Sequence, residues 1–169
     1  MQKIKEDLRE LFMATEQLRR IRAKQGRKDI NLISYDAEEF AMVALSEIHN
    51  SEYELCTNGQ KAYDLINESL NSKVEVKSVV GSTRTVESMK DKGASDKILV
   101  IWFNTNNLFV VDRVVMYDTD LVMSTIKEDG NKKFAFTTKL QNKLFESGTC
   151  EDLTTQFQSS LDGILKITK

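Results

Sequence analysis

Residues 97–104, KILVIWFN, restrict the fold of this chain more than any other stretch. Six consecutive apolar residues stand between Lys97 and Asn104. A strand with one solvated face alternates apolar and polar residues, whereas a strand that is buried on both faces reads as a continuous apolar run. The stretch therefore predicts a central strand with other layers packed against both faces. We expect Trp102 within it to belong to the core, not to serve as a base-stacking platform.

The rest of the chain supplies the layers that such a strand needs. Apolar residues recur at helical spacing over residues 2–24, which predicts a first helix. Asp36 and Glu39 form a capping-box pattern, so a second helix is expected to begin at Asp36. Residues 151–165 repeat apolar side chains at four-residue steps and predict a final helix. The other predicted elements are strands at 62–67, 73–80 and 108–118, a short helix at 119–129 and an edge strand at 133–138.

This order of elements predicts an α/β fold in which helices flank a mixed central sheet. A length of 169 residues suits one domain, spanning residues 1–169. Within it, residues 1–28 are expected to form an N-terminal helix, and residues 36–117 the core. Residues 118–169 are expected to form a C-terminal strand and helix.

Composition narrows the chemistry that the chain can perform. No apolar run reaches the roughly 20 residues that a membrane-spanning helix needs. Cys56 and Cys150 lack the spacing of a metal site, which is typical of free thiols in a reducing cytoplasm. His49 is the single histidine, so carboxylates and lysines must carry any catalysis. We expect a cytoplasmic protein without a membrane partner.

A basic run covers residues 19–28, RRIRAKQGRK, which hold six basic side chains and no acid. The formal net charge of the whole chain is −2, so this run stands out locally. It could bind the phosphates of a nucleic acid. It could equally be the C-terminal end of a helix, where basic side chains interact favourably with the helix dipole.

Three charged residues stand inside apolar strand patterns. Asp64 lies in AYDLIN, and Glu75 and Lys77 lie in KVEVKSVV. The short connection predicts a hairpin, and alternation along its second strand places Glu75 and Lys77 on one face. Two carboxylates brought together repel each other, and a hard cation such as Mg2+ removes that penalty. The alternative is a hairpin with one solvated face and no site.

The pattern of Asp64 followed by Glu75-Val76-Lys77 resembles the motif of the PD-(D/E)XK nuclease superfamily, the restriction endonuclease-like proteins. The resemblance covers residues 36–117. It implies a restriction endonuclease-like fold, in which Asp64, Glu75 and the carbonyl of Val76 hold Mg2+ or Mn2+. It also implies that Asp64, Glu75 and Lys77 are the catalytic residues.

Many members of that superfamily add a glutamate from the preceding helix. On a helical wheel of residues 36–49, Glu38 lies at the edge of the apolar face and Glu39 lies opposite that face. We therefore assign Glu38 to the metal site and Glu39 to the helix cap, with Glu47, on the other edge, as a further alternative. The chain departs from the family pattern where Tyr63, not proline, precedes the motif aspartate.

The resemblance implies a Mg2+-dependent DNA endonuclease, most similar to a type II restriction endonuclease or to a phage or repair endonuclease. Cutting both strands of double-stranded DNA would require a homodimer or two sequential nicks. Residues 136–145 could present Lys139 and Lys143 to DNA, although a plain amphipathic segment explains them as well. The alternative function is a catalytically silent DNA-binding or protein-interaction module on the same fold. The residues expected to contact DNA after the motif are Ser82, Thr83, Arg84 and Thr85, and the alternative for this stretch is a polar surface loop.

Overall fold

The computed structural model describes residues 1–27, 34–56, 63–80, 86, 95–130 and 135–167. Within these ranges the chain forms five helices and one six-stranded sheet. The helices are α1 (Gln2–Lys24), α2 (Ser34–His49), α3 (Thr119–Glu128), α4 (Thr138–Glu146) and α5 (Thr154–Leu165). The strands are β1 (Glu54–Leu55), β2 (Leu65–Asn67), β3 (Ser72–Val80), β4 (Lys97–Phe103), β5 (Val111–Asp118) and β6 (Glu151–Asp152).

The strands lie in chain order across the sheet, from β1 at one edge to β6 at the other. Strands β3 and β4 are parallel, and the other neighbouring pairs are antiparallel. Strand β4 is central, with long ladders to both neighbours, whereas the edge strands β1 and β6 have two residues each. The predicted mixed central sheet is therefore confirmed.

Both faces of β4 are covered, as its apolar run predicts. Its residues Leu99, Ile101 and Phe103 face a core layer that α1, α2 and α5 complete. The alternate residues, Trp102 among them, face a second layer completed by α3 and α4. Trp102 is 1% exposed, which confirms its place in the core. The described residues thus form one α/β domain with helices on both sides of the sheet.

Phe40 of α2 is the centre of an aromatic cluster in the first layer. Its ring centroid lies 5.6 Å from that of Phe12 on α1 and 5.5 Å from that of Phe157 on α5, both edge to face. The ring of Phe103 on β4 is 6.0 Å away. Such distances are favourable for aromatic pairs. The cluster therefore holds α2 against the sheet at Phe40, which is two residues after Glu38 in the sequence.

The N-terminal half of the fold follows the predictions closely. Helix α1 covers residues 2–24 as predicted, and β2 and β3 form the predicted antiparallel hairpin. The predicted start of the second helix at Asp36 is wrong, because α2 begins at Ser34 and Asp36 lies in its first turn. Acidic residues are favoured by the dipole throughout the first turn, so this pattern does not fix the cap itself. The assignment of Glu39 to a capping box with Asp36 is therefore wrong as well.

Strand β5 begins later than predicted. Residues 107–110 form a turn instead of strand, in which the N–H of Val110 donates to the carbonyl of Asn107 at 3.1 Å. The strand therefore starts at Val111. The asparagine side chains of this turn bind its own backbone, which favours a turn over an extended chain.

The C-terminal region, residues 118–169, contains one helix more than the sequence predicts. The predicted short helix at 119–129 is confirmed as α3, whereas α4 was not predicted. Of the predicted edge strand at 133–138, residues 133 and 134 lie outside the described ranges, and Phe136 makes one isolated bridge, to Val86. Thr137 caps α4 by accepting from the N–H of Leu140, which ends the extended segment. The predicted final helix is α5, preceded by the short strand β6. Among the described residues, no helix is both long and apolar enough to cross a membrane.

Candidate active site at the open edge of strand β3

Strand β3 extends beyond its hairpin partner. The ladder between β2 and β3 begins at the pair Leu65 and Val74, while β3 continues to Val80. In the part of the chain that the structure describes, β3 beyond Val74 is therefore paired with a strand on one side only, the side of β4. Asp64 lies directly before β2, at the point where this open edge begins.

The carboxylate of Asp64 occupies the start of the open edge. Its Oδ2 accepts a hydrogen bond of 2.7 Å from the N–H of Val76, and its own N–H donates to the carbonyl of Val74 at 2.9 Å. Alternate residues of a strand direct their backbone groups to the same side. The carbonyl of Val76 therefore faces the same edge as the Asp64 carboxylate, as the expected ligand set requires.

Glu75 and Lys77 lie on one face of β3, and Val74 and Val76 pack into the core on the other. Glu75 is 1% exposed, and its carboxylate accepts a hydrogen bond from the ammonium of Lys77. The Lys77 side chain is 30% exposed, so the pair is buried at the carboxylate and open to solvent at the lysine.

Glu38 of α2 shares the electrostatic environment of these residues. Burial raises the pKa of Glu38, the charge of Asp64 and then that of Glu75 raise it further, and Lys77 lowers it. These effects place Glu38 within electrostatic range of all three side chains. The second turn of α2 thus adds a third carboxylate to the electrostatic surroundings of the open edge of β3.

The other two helix glutamates lie elsewhere. Burial raises the pKa of Glu39, and its charged neighbours that raise it further are Asp36 and Asp7, not the site residues. Burial tends to raise the pKa of Glu47 too, but hydrogen bonds from Lys5 and Ser160 outweigh burial and lower it. Of the three sequence candidates, only Glu38 responds to the charges of the motif.

The donor set suits a hard dication in ligand type and charge. Glu38, Asp64 and Glu75 supply carboxylate oxygens, the ligands that Mg2+ prefers, against a single lysine. As the described side chains stand, no group of three or more acidic, histidine or cysteine side chains is placed to hold a metal ion. The Lys77 ammonium is hydrogen-bonded to the Glu75 carboxylate, and the Val76 N–H is hydrogen-bonded to the Asp64 carboxylate. Metal binding would therefore require the side chains of Asp64 and Glu75 to turn.

The other residues that the sequence predicts to contact DNA lie either on α4 or outside the described residues. Lys139 and Lys143 are exposed on α4, on the opposite side of the sheet from α1. Cys56 and Cys150, the two cysteines of the chain, do not form a disulfide with each other. The predicted DNA-contact residues Ser82, Thr83, Arg84 and Thr85 lie outside the described residues.

Two buried charged residues on α1 were missed by the sequence reasoning. Glu16 is 3% exposed and Arg19 is 5% exposed. They continue the buried stripe of Leu8 and Phe12 at helical spacing. A charged residue at a position where the apolar stripe predicts burial was the signal that could have identified them.

Comparison of the chain with protein-family models finds no match, and comparison with curated proteins finds none either.

Proposed function

We propose that this protein is a divalent-metal-dependent deoxyribonuclease with a restriction endonuclease-like fold. The observation that carries the proposal is that Asp64 and the ion pair of Glu75 and Lys77 lie at the open edge of β3, with Glu38 within electrostatic range of all three. These side chains come from α2, from the start of β2 and from the middle of β3. A solvated hairpin face would not require a glutamate with 1% exposure beside a lysine.

The chemistry follows from the donor set. Asp64, Glu75, Glu38 and the carbonyl of Val76 would hold the ion, which would supply Lewis-acid activation of a phosphodiester and of a bound water. Lys77 is partly exposed beside the buried carboxylate. Its ammonium would orient the attacking water or neutralise charge that develops on the phosphate.

Cleavage of plasmid DNA tests the proposal. Purified protein with 10 mM Mg2+ or Mn2+ is expected to nick or linearise a supercoiled plasmid, and chelation with EDTA should stop the reaction. Asp64→Asn and Lys77→Met should lose cleavage by about a hundredfold or more, since the first removes a ligand of the proposed metal ion and the second removes the positive charge beside the reacting phosphate. The matched control is Glu39→Gln, which changes the neighbour of Glu38 on the side away from the site and should cut as the parent does.

Cleavage by Asp64→Asn or Lys77→Met at the rate of the parent would contradict the assignment. So would equal losses in Glu38→Gln and Glu39→Gln, because the site contains only the first of these two glutamates. Sequencing of the product ends would then give the cutting pattern and any base preference.

A second candidate is a catalytically silent DNA-binding or protein-interaction module on the same fold. It is favoured by the ion pair between Lys77 and Glu75, which satisfies the buried carboxylate without a metal. Calorimetry separates the two functions. Binding of Mg2+ or Mn2+ that disappears in Glu75→Ala supports the nuclease, and no binding at millimolar concentration supports the module.

A further inference from the structure

The C-terminal end of α1 carries a concentration of positive charge. Residues 16–27 contain five basic side chains and one acidic side chain, a net charge of +4, in a chain whose formal net charge is −2. Arg20, Lys24 and Arg27 are exposed, and Arg22 is half-buried beside them. We refer to these four residues as the basic end of α1.

Buried polar contacts fix the basic end against the sheet. Arg19 donates to the carbonyl of Thr105, and Glu16 accepts a hydrogen bond of 3.1 Å from the N–H of Leu108. Glu16 also pairs with Arg19 and with Arg20. Because Thr105 and Leu108 belong to the turn between β4 and β5, α1 is held at the end of the sheet toward which β4 runs.

The same end of the sheet is the one toward which β3 runs from the candidate site. Strands β3 and β4 are parallel, and Val80 pairs with Phe103 directly before that turn. Chain connectivity sets an upper limit on the distance between the basic end, at Arg27, and the candidate site, at Glu38. Arg27 and Ser34 are seven residues apart, which allows at most about 25 Å, and four helical residues from Ser34 to Glu38 add about 6 Å.

A DNA duplex at the candidate site would therefore reach the basic end within one helical turn, since roughly 30 Å corresponds to about nine base pairs at 3.4 Å each. A cavity of about 220 Å3 opens between the basic end and the turn, and Arg20, Thr105 and Asn106 are among its lining residues. This concavity gives a phosphate room beside the Arg20 guanidinium.

We propose that the basic end of α1 binds backbone phosphates of double-stranded DNA on one side of the cleavage site. The choice of ligand rests on the proposed function. Arginine and lysine side chains that contact phosphates position the duplex without reading its sequence. The contribution of this surface should therefore be the same for duplexes of different sequence and should weaken with salt.

The test is the salt dependence of DNA binding without metal. Fluorescence anisotropy with a labelled 30-base-pair duplex in EDTA, at several NaCl concentrations, gives the slope of log K against log salt. The triple variant R20Q/K24Q/R27Q is expected to bind at least tenfold more weakly at low salt. The magnitude of its slope should fall by about 0.9 for each phosphate that the variant no longer neutralises, or by roughly two to three in total.

A matched control removes the same charge at positions away from the basic end. The variant K3Q/K127Q/K166Q changes three exposed lysines, one each at the start of α1, on α3 and directly after α5, and should keep the slope of the parent. Circular dichroism of both variants should match the parent, because all six side chains are exposed.

An unchanged slope in R20Q/K24Q/R27Q would overturn the inference, as would a decrease in the control equal to the decrease in that variant. Failure of the parent to bind DNA at low salt would overturn it too. The proposed nuclease fails by a different result, the absence of cleavage in Mg2+ and Mn2+. A protein that binds through the basic end and never cuts would retain this inference and refute the enzyme.

Discussion

Removing the charge of Lys77 should destabilise the protein much more than removing the charge of its partner Glu75. The Glu75 side chain is 2% exposed and the Lys77 side chain is 30% exposed. In Lys77→Met the buried carboxylate loses the cation that Lys77 supplies and stays out of contact with water. Breaking a buried pair in this way costs about 3–5 kcal/mol, and partial screening at the exposed lysine should reduce that to about 2 kcal/mol.

Glu75→Gln leaves a lysine that can turn into solvent, so the free energy of unfolding should fall by only about 1 kcal/mol, the cost of an imperfectly bonded buried amide. The double variant should match Glu75→Gln, because neither variant contains the buried charge that Lys77 compensates. Lys97→Met is the matched control on the neighbouring strand. Its pair with Asp118 is 42% and 46% exposed, and its removal should cost less than about 1 kcal/mol.

Urea unfolding at pH 7 in EDTA measures all four variants, with the buried single tryptophan, Trp102, as the fluorescence probe. At an m-value of about 2 kcal/mol/M, a change of about 2 kcal/mol moves the midpoint by about 1 M. The reasoning is refuted if Glu75→Gln is as destabilising as Lys77→Met, or if the double variant is no more stable than Lys77→Met alone.

Three further predictions concern the site and the core. The pKa of Glu38 is raised in the folded protein, so the parent loses stability as the pH rises from the ordinary glutamate pKa through the raised one. Glu38→Gln should therefore gain stability relative to the parent between pH 4.5 and pH 7, as measured by urea midpoints. An equal difference between the two midpoints at both pH values would contradict this. Phe40→Ala should lower the free energy of unfolding by about 4 kcal/mol and Phe40→Leu by no more than about 1.5 kcal/mol, whereas similar decreases would show that the ring contacts of α2 do not matter. Addition of 10 mM Mg2+ should stabilise the parent by about 1.4 kcal/mol if the dissociation constant is about 1 mM, and thermal melts of Asp64→Asn should show no such gain.

The sequence predicts the parts of this fold that depend on local periodicity. The apolar run of β4, the helical spacing of α1 and the short hairpin connection each match one structure far better than another. The start of α2 could not be predicted as well, since acidic residues are favoured at several positions of a first turn. The helix at 138–146 was missed because residues 133–138 alternate like a strand until Thr137 caps α4.

The candidate site, like the fold, could be predicted from the sequence only in part. The register of a hairpin is local, so the proximity of Asp64 to β3 could be predicted, and so could the shared face of Glu75 and Lys77. The approach of Glu38 depends on how α2 packs, which is a tertiary property. The anchor between Glu16 and Leu108 joins residues 92 positions apart, and no short-range pattern in the sequence encodes such a contact.

The short edge strands described above bear on how copies of this protein meet one another. An exposed strand offers its backbone as a template on which a neighbouring chain can add, which is how sheets grow into fibrils. Strands β1 and β6 offer two residues each, and Glu54, Glu151 and Asp152 lie exposed on them. A second molecule approaching either border would gain few backbone hydrogen bonds and would bring like charges together. At these two borders the chain is thus protected against aggregation, although its central strand is apolar enough to promote aggregation when unfolded.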